Sequence, residues 1–263
     1  MLRESLSQGS SDIGKCIVIR NVGMVYHSRE SSLQALEDIF VEVDEGEFVS
    51  FVGPTGCGKT TLLKIIGGIL EPTNGVVRIG DKSADEARRK RMFGFIFEDP
   101  ILLPWRTAID NVRLPLEIMN IRKNESDKIC QELLRLVGLD GFGKRQPHEL
   151  SRGMQQRVAI VRALSFNPSI LLMDEPFANL DEITKHKLYM DFLALWRKQR
   201  KTVIFVTHEI REAIFLSDKV AVLSHQPGTI KKVVKIELPR PRKLEMIESV
   251  KFIEYIKRVR SIL

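Results

Sequence analysis

The stretch EFVSFVGPTGCGKTTLLKIIGGIL (47–70) reads as a strand, a glycine-rich turn and a helix in direct succession. An apolar run ends at Val52, the turn GPTGCGKTT (53–61) follows, and TLLKIIGGIL (61–70) has the apolar spacing of a helix. Two glycines, Gly53 and Gly58, stand at either end of the turn and are followed by Lys59 and Thr60, the arrangement of a phosphate-binding loop. Gly53, Gly56 and Gly58 allow backbone conformations that a Cβ would forbid. The N–H groups of the loop, made of Gly53, Pro54, Thr55, Gly56, Cys57, Gly58, Lys59, Thr60 and Thr61, then turn inward as an anion nest at a helix N-terminus. Lys59 can reach the β- and γ-phosphates of a nucleotide, and the Thr60 hydroxyl can ligate Mg²⁺. Cys57 is expected to pack inside the loop as a small residue, and alkylating it to block the site.

Outward from this loop, apolar β-branched runs recur: CIVIRNV (16–22), GVVRIG (75–80), FGFIF (93–97), SILLMD (169–174), TVIFVT (202–207) and KVAVLS (219–224). Several are apolar on both faces, as in a parallel sheet covered on both sides. Helical patterns lie between them at 59–69, 126–137, 154–165, 183–199 and 209–216, and the alternation predicts an α/β fold. The first eighty residues suggest short strands and turns, with a small antiparallel sheet. Residues 98–165 break the alternation and read as a helical insertion. The expected organisation is a polar N-terminal tail over 1–15 and a single domain over 16–263. Within that domain, 16–97 and 166–243 form the core with its β subdomain, and 98–165 the helical subdomain. Residues 244–263 form a last helix, whose stripe of Phe252, Ile256, Val259 and Leu263 docks on its own protein or a twin, with a membrane surface as the alternative.

Composition bounds the function without choosing it. The chain has 263 residues, 43% of them hydrophobic, which is ample for a core. No run of 18 apolar residues appears, and the polar start lacks the apolar centre of a secretory signal. The cysteines, Cys16, Cys57 and Cys130, lack metal-ligand spacing and suggest a reduced, intracellular chain. The net charge of +7 suits nucleic acid, anionic lipid or a polyphosphate ligand. Its charges are interspersed apart from RRKR (88–91) and a mixed tail after Lys231.

Two further segments carry candidate chemistry. SILLMDEP (169–176) is an apolar strand ending in two acids. Asp174, at the strand's C-terminal end, would face the phosphate loop and hold Mg²⁺ directly or through water, and Glu175 is a candidate general base for water attack on the γ-phosphate. VTHE (206–209) ends the next strand, where His208 could hydrogen-bond the γ-phosphate or hold the attacking water.

A third segment, HELSRGMQQRVAIVRAL (148–164), begins a helix with Ser151, which reads as its cap, followed by Arg152 and Gly153 where good helix formers would be expected. Its LSRGMQQR resembles the signature of the ATP-binding subunits of ABC transporters, usually Leu-Ser-Gly-Gly-Gln. The resemblance covers about residues 16 to 240, and the phosphate loop and acid-tipped strand stand in the family's order. It implies a P-loop NTPase core with a mostly parallel sheet, a small antiparallel β subdomain and an inserted α-helical subdomain. It also implies an ATPase taking ATP and Mg²⁺ as a homodimer, in which Ser151 and Gly153 of one copy close on the γ-phosphate held by the other. Tyr26 stands where the family stacks an aromatic on adenine, and Asp181 in ANLD (178–181) where a loop meets the opposing subunit. ILLPWRT (101–107), Met154 and LSHQPG look most like the importers of nitrate, sulfonate, taurine and related small anions.

The implied partners are a second ATP-binding subunit, transmembrane permease subunits and, indirectly, a solute-binding protein. The implied place is the cytoplasmic face of the inner membrane, bound peripherally. Residues near 98–107 would meet the membrane subunit, with Pro104 and Trp105 as exposed anchors, or with Trp105 simply buried. Two positions depart from the family pattern. Glu98 in FIFEDP replaces a glutamine that touches Mg²⁺ and the attacking water; a carboxylate can still ligate the ion. Arg152 replaces a glycine and is expected to point to solvent or to add a contact to phosphate. Two rivals remain: a soluble ABC-type ATPase acting on DNA or ribosomes, and a metabolic kinase with a phosphate loop. A single phosphate loop, the lack of a long coiled-coil insertion and the lack of a basic–aromatic pattern count against the first, and no nucleic acid is expected. The second has no use for an intersubunit signature.

Overall fold

The computed structural model describes residues 15–28 and 31–263, so the expected polar tail lies, but for Lys15, outside the described residues. The elements, in chain order, begin with β1 (Lys15–His27), β2 (Ser32–Asp44), β3 (Phe48–Val52) and α1 (Lys59–Ile66). They continue with β4 (Asn74–Ile79), β5 (Lys82–Ser83), α2 (Ala84–Arg89) and β6 (Phe93–Ile96). Three helices follow, α3 (Ala108–Ile118), α4 (Lys123–Leu136) and α5 (Arg152–Leu164), and then β7 (Ile170–Asp174) and α6 (Glu182–Gln199). The chain closes with β8 (Thr202–Thr207), α7 (Ile210–Leu216), β9 (Lys219–Leu223), β10 (Ile230–Lys235) and α8 (Val250–Arg260).

The six-stranded sheet runs β10-β9-β3-β8-β7-β6. Its pairs from β9 to β6 are parallel, and β10 joins antiparallel at one edge. Every residue of β3 and β8 is buried. Alternate residues feed two different cores: Phe48, Leu171, Met173, Val203 and Phe205 face one, and Val49, Phe51, Ile170, Leu172, Ile204 and Val206 face the other. This explains why the strands read as unbroken apolar runs, since a parallel sheet is covered on both faces. The first core is rich in edge-to-face aromatics, with Phe48 against Phe192, Trp196 and Phe205.

The second sheet is antiparallel, β2-β1-β4-β5. The sequence pointed to short strands here, yet β1 and β2 are 13 residues each. Their register slips at Ile19/Val22, Val22/Met24 and Met24/Val25, and Asn21 and Asp38 take positive φ. Such bulges break the period of two by which a strand is read from sequence. Between β6 and β7 the described residues hold helices and no strand, as the break in alternation suggested. In the last segment only Val250–Arg260 is α-helical, preceded by a 3₁₀ turn at Leu244–Glu248. Phe252, Ile256 and Val259 are buried in the protein's own core, and Leu263 packs partly buried against it, so the stripe docks on its own chain.

Candidate functional site

Because β3, β7 and β8 run parallel, their C-terminal ends come out at one sheet edge. Val52 pairs with Thr207 and Asp174 with Val206, so the phosphate loop, the acid pair and His208 emerge side by side. The loop begins at the end of β3 and closes on α1, whose N-cap is Gly58 at φ 94° with no side-chain cap and no acid in the first turn. The helix therefore offers uncompensated N–H groups and the positive end of its dipole. Gly58 is required twice over: its φ is left-handed, and a Cβ would lie 2.8 Å from the Ala35 carbonyl oxygen on β2. Lys59 is buried, its ammonium donating at 2.8 Å to both the Gly53 and Pro54 carbonyl oxygens.

Thr60 Oγ1 donates to Asp174 Oδ1 at 3.0 Å. Burial raises Asp174 above the usual carboxylate range, the Thr60 bond and Lys64 oppose this, and the nearby charges of Glu175 and Glu98 add to it. A hydroxyl beside carboxylates whose charges oppose one another is a hard-oxygen set that fits a divalent cation such as Mg²⁺. Glu98 Oε1 accepts from Asn179 Nδ2 at 2.9 Å. Glu175 stands at φ 45°, uncommon for a residue with a side chain, and is fastened by its N–H to the Val206 carbonyl oxygen at 2.9 Å. Its Oε2 lies 2.5 Å from His208 Nδ1.

Tyr26 is 38% exposed, and its hydroxyl stands 3.2 Å from Thr61 Oγ1. Tyr26, Thr55, Gly56, Gly58, Lys59, Thr60, Thr61 and Glu175 share a cleft of about 430 Å³ with Leu33, Ala35 and Gln226. Sequence reasoning missed these last three. Leu33 and Ala35 lie on β2, a strand the pattern did not disclose, whereas Gln226 sits in the quoted LSHQPG. That loop is tied to β2 by Gly228 N–H donating to the Ala35 carbonyl oxygen at 3.0 Å and Glu37 N–H donating to that of Gly228 at 3.0 Å.

Ser151 and Gly153 do not line this cleft. Ser151 caps α5, its Oγ accepting from Met154 N–H at 3.3 Å, so its hydroxyl is not left wholly free. Gly153 is needed for close approach: a Cβ there would lie 2.6 Å from Thr184 Cγ2 on α6. Asp181 likewise caps α6, accepting from Thr184 N–H at 3.0 Å. Arg152 is exposed, in line with the expectation that it points to solvent, and at the surface its guanidinium pairs with Asp99. With that pair, three α5 side chains grip the segment after β6: Gln156 Nε2 donates to the Phe97 carbonyl oxygen at 3.1 Å, and Arg162 to those of Pro100 and Ile101 at 2.8 Å each. Trp105, at the end of this segment, is 72% exposed, and Pro104 is exposed too. Cys57 is buried as expected, but burial pushes its thiol up, so an alkylating reagent reaches it only if the loop opens.

A sequence profile described as ABC transporter matches residues 36–178. Over 245 residues, the chain is 46% identical to an uncharacterized ABC transporter ATP-binding protein of Methanocaldococcus jannaschii, covering 93% of this chain and 90% of that protein. It is 39% identical to the bicarbonate transport ATP-binding protein CmpD of Synechococcus elongatus, over 88% of this chain and 84% of the relative. It is 41% identical to the aliphatic sulfonates import ATP-binding protein SsuB of Bacillus cereus, over 86% and 88%. Among solved structures it superposes, with a TM-score of 0.73 and 35% identity, on a dimeric ATP-binding cassette in a post-hydrolysis state bound to ADP and Pi, covering 85% of this chain and 100% of that one.

Proposed function

The chain belongs to the ABC transporter family as an ATP-binding subunit and an ATPase, and from that premise we propose that it energises the import of a small anion of the nitrate, sulfonate or taurine kind. Relatives named for bicarbonate transport and for sulfonate import support an anion. Two copies close face to face on two ATP molecules, a reading supported by the dimeric form of the solved relative. Permease subunits span the membrane and a solute-binding protein delivers the anion, so this chain sits peripherally on the cytoplasmic face. Ile101, Pro104 and Trp105, all exposed, are the surface proposed to meet the permease.

One observation carries the chemistry: Thr60, Asp174, Glu175 and His208 are joined pairwise at a single sheet edge, by the 3.0 Å and 2.5 Å contacts, beside the buried Lys59. Lys59 and the loop N–H groups hold the phosphates of ATP, and Tyr26 receives the adenine. Thr60, Asp174 and Glu98 would hold Mg²⁺, which when bound neutralises charge on the β- and γ-phosphates. Glu175 takes the proton of the attacking water, and His208 holds Glu175 and the γ-phosphate in register. The N–H groups at 151–153 of the second copy complete the enclosure, and cleavage removes the bridge so that the pair opens.

The test combines Ser151→Cys with Thr55→Cys and traps ATP with Glu175→Gln. A disulfide between copies that forms with ATP and not without it is the expected result. If none forms in the trapped state, the shared pocket is wrong. Uptake assays with the reconstituted permease, offered nitrate, bicarbonate, taurine and alkyl sulfonates in turn, identify the anion; uptake of none of them overturns the substrate class.

A further inference from the structure

Glu212, in the first turn of α7, is 4% exposed, and the hydrolysis scheme leaves it idle. Its carboxylate lies between two hydroxyls. Tyr189 on α6 donates to Oε1 at 3.0 Å, and Thr207, the last residue of β8, donates to Oε2. Thr207 Oγ1 in turn accepts the Glu209 N–H at 3.0 Å. A buried chain of hydrogen bonds thus runs from Tyr189 through Glu212 and Thr207 to Glu209, fastening the residues on both sides of His208. The charged groups facing it are Glu209, on the turn, and Lys185, on α6, which are paired with each other at 2.5 Å. Burial pushes Glu212 up to about 7; Thr207, Tyr189 and Lys185 pull it down and Glu209 adds to the rise.

From this geometry we propose that Glu212 is a positioning residue for ATP hydrolysis: its carboxylate accepts from the Thr207 hydroxyl, fixes the β8–α7 turn that presents His208 to Glu175, and loosens that turn when protonation reverses the bond and leaves the Thr207 proton without an acceptor. The two forms differ in where the Thr207 proton points. With Glu212 ionised, Thr207 donates to it and accepts from Glu209, so both of its roles are filled. A proton on Glu212 Oε2 makes Thr207 an acceptor twice. The Thr207 proton must then turn away in a side chain that is 1% exposed, where an unmade hydrogen bond is expensive. A glutamine with its amide nitrogen toward Thr207 mimics this protonated form at every pH.

The inference rests on the role proposed for His208, so the experiment separates the two. MgATP turnover of the full chain is measured from pH 6 to 9 for the wild type, Glu212→Gln, Thr207→Val, Thr207→Ser and His208→Ala, each checked for folding by circular dichroism. The expected wild-type kcat rises several-fold through about pH 7. Glu212→Gln and Thr207→Val lose that limb and most of the turnover at pH 8, with KM for ATP within about twofold. Thr207→Ser, which keeps the hydroxyl, keeps the limb. An active His208→Ala overturns the role of His208 and this proposal with it. If His208→Ala is inactive while Glu212→Gln and Thr207→Val retain the wild-type kcat and pH profile, this proposal alone fails. Should Glu212→Gln not fold, the contrast between Thr207→Val and Thr207→Ser decides in the same way.

Discussion

The Thr60 hydroxyl donates to Asp174 at 3.0 Å across 114 positions of sequence, joining the start of α1 to the end of β7. The same carboxylate is raised above its usual range by burial and by the charges of Glu175 and Glu98. A carboxyl raised on folding holds a proton that the unfolded chain has lost. Stability therefore falls as pH climbs from the ordinary carboxylate range through the raised value, and stays at the lower level above it. Asp174→Asn removes that penalty. The variant should melt at a higher temperature than the wild type at pH 8, lose the advantage toward pH 3, and have no Mg²⁺-dependent ATPase. A lower melting temperature at pH 8 would contradict this reading.

Glu98→Gln should raise ATP turnover several-fold. The amide can still accept from Asn179, as Glu98 Oε1 does at 2.9 Å, while one negative charge leaves the neighbourhood of Asp174. Steady-state ATPase at saturating MgATP measures this. An unchanged or lower rate counts against the idea that the carboxylate slows the site.

Glu212→Gln should trade turnover for stability. Between the ordinary glutamate value of 4.5 and the folded value of about 7, the folded chain holds the Glu212 proton and the unfolded chain does not. Wild-type stability thus declines across that window and is level above it, a decline on the order of 3 kcal/mol. The glutamine variant has no such slope. Urea unfolding at pH 5 and pH 8 should show the variant gaining on the wild type between the two; parallel losses in both proteins would refute the buried-acid picture.

Phe252→Ala should destabilise the chain by about 3–5 kcal/mol, because the ring is fully buried in the core beneath α8 and leaves a cavity. Chemical denaturation gives the number. A change under about 1 kcal/mol would mean that α8 is only loosely attached.

Much of this was legible in the residues themselves. The strands of the parallel sheet were visible because burial on both faces leaves an unbroken apolar run, as in Phe48–Val52 and Thr202–Thr207. The phosphate loop was visible because only glycine fits beside Ala35 at Gly58. What stayed hidden depends on partners far along the chain. β2 carries Glu37 and Asp38 at a bulge, so its alternation fails. Leu33, Ala35 and Gln226 enter the cleft through that unseen strand and the loop pinned to it. Arg152 could not be foreseen to meet Asp99, whereas Ser151 read as a cap and does accept from Met154 N–H. Glu212 had no signature at all, because burial is a property of what surrounds a residue.

The grip of α5 on residues 97–101 has a mechanical corollary. A segment tied at Phe97, Asp99, Pro100 and Ile101 to one rigid rod cannot buckle on its own. A push on the exposed Ile101, whose carbonyl oxygen Arg162 holds, would therefore tilt the rod and its serine-bearing tip together, without slack between the stroke and its delivery.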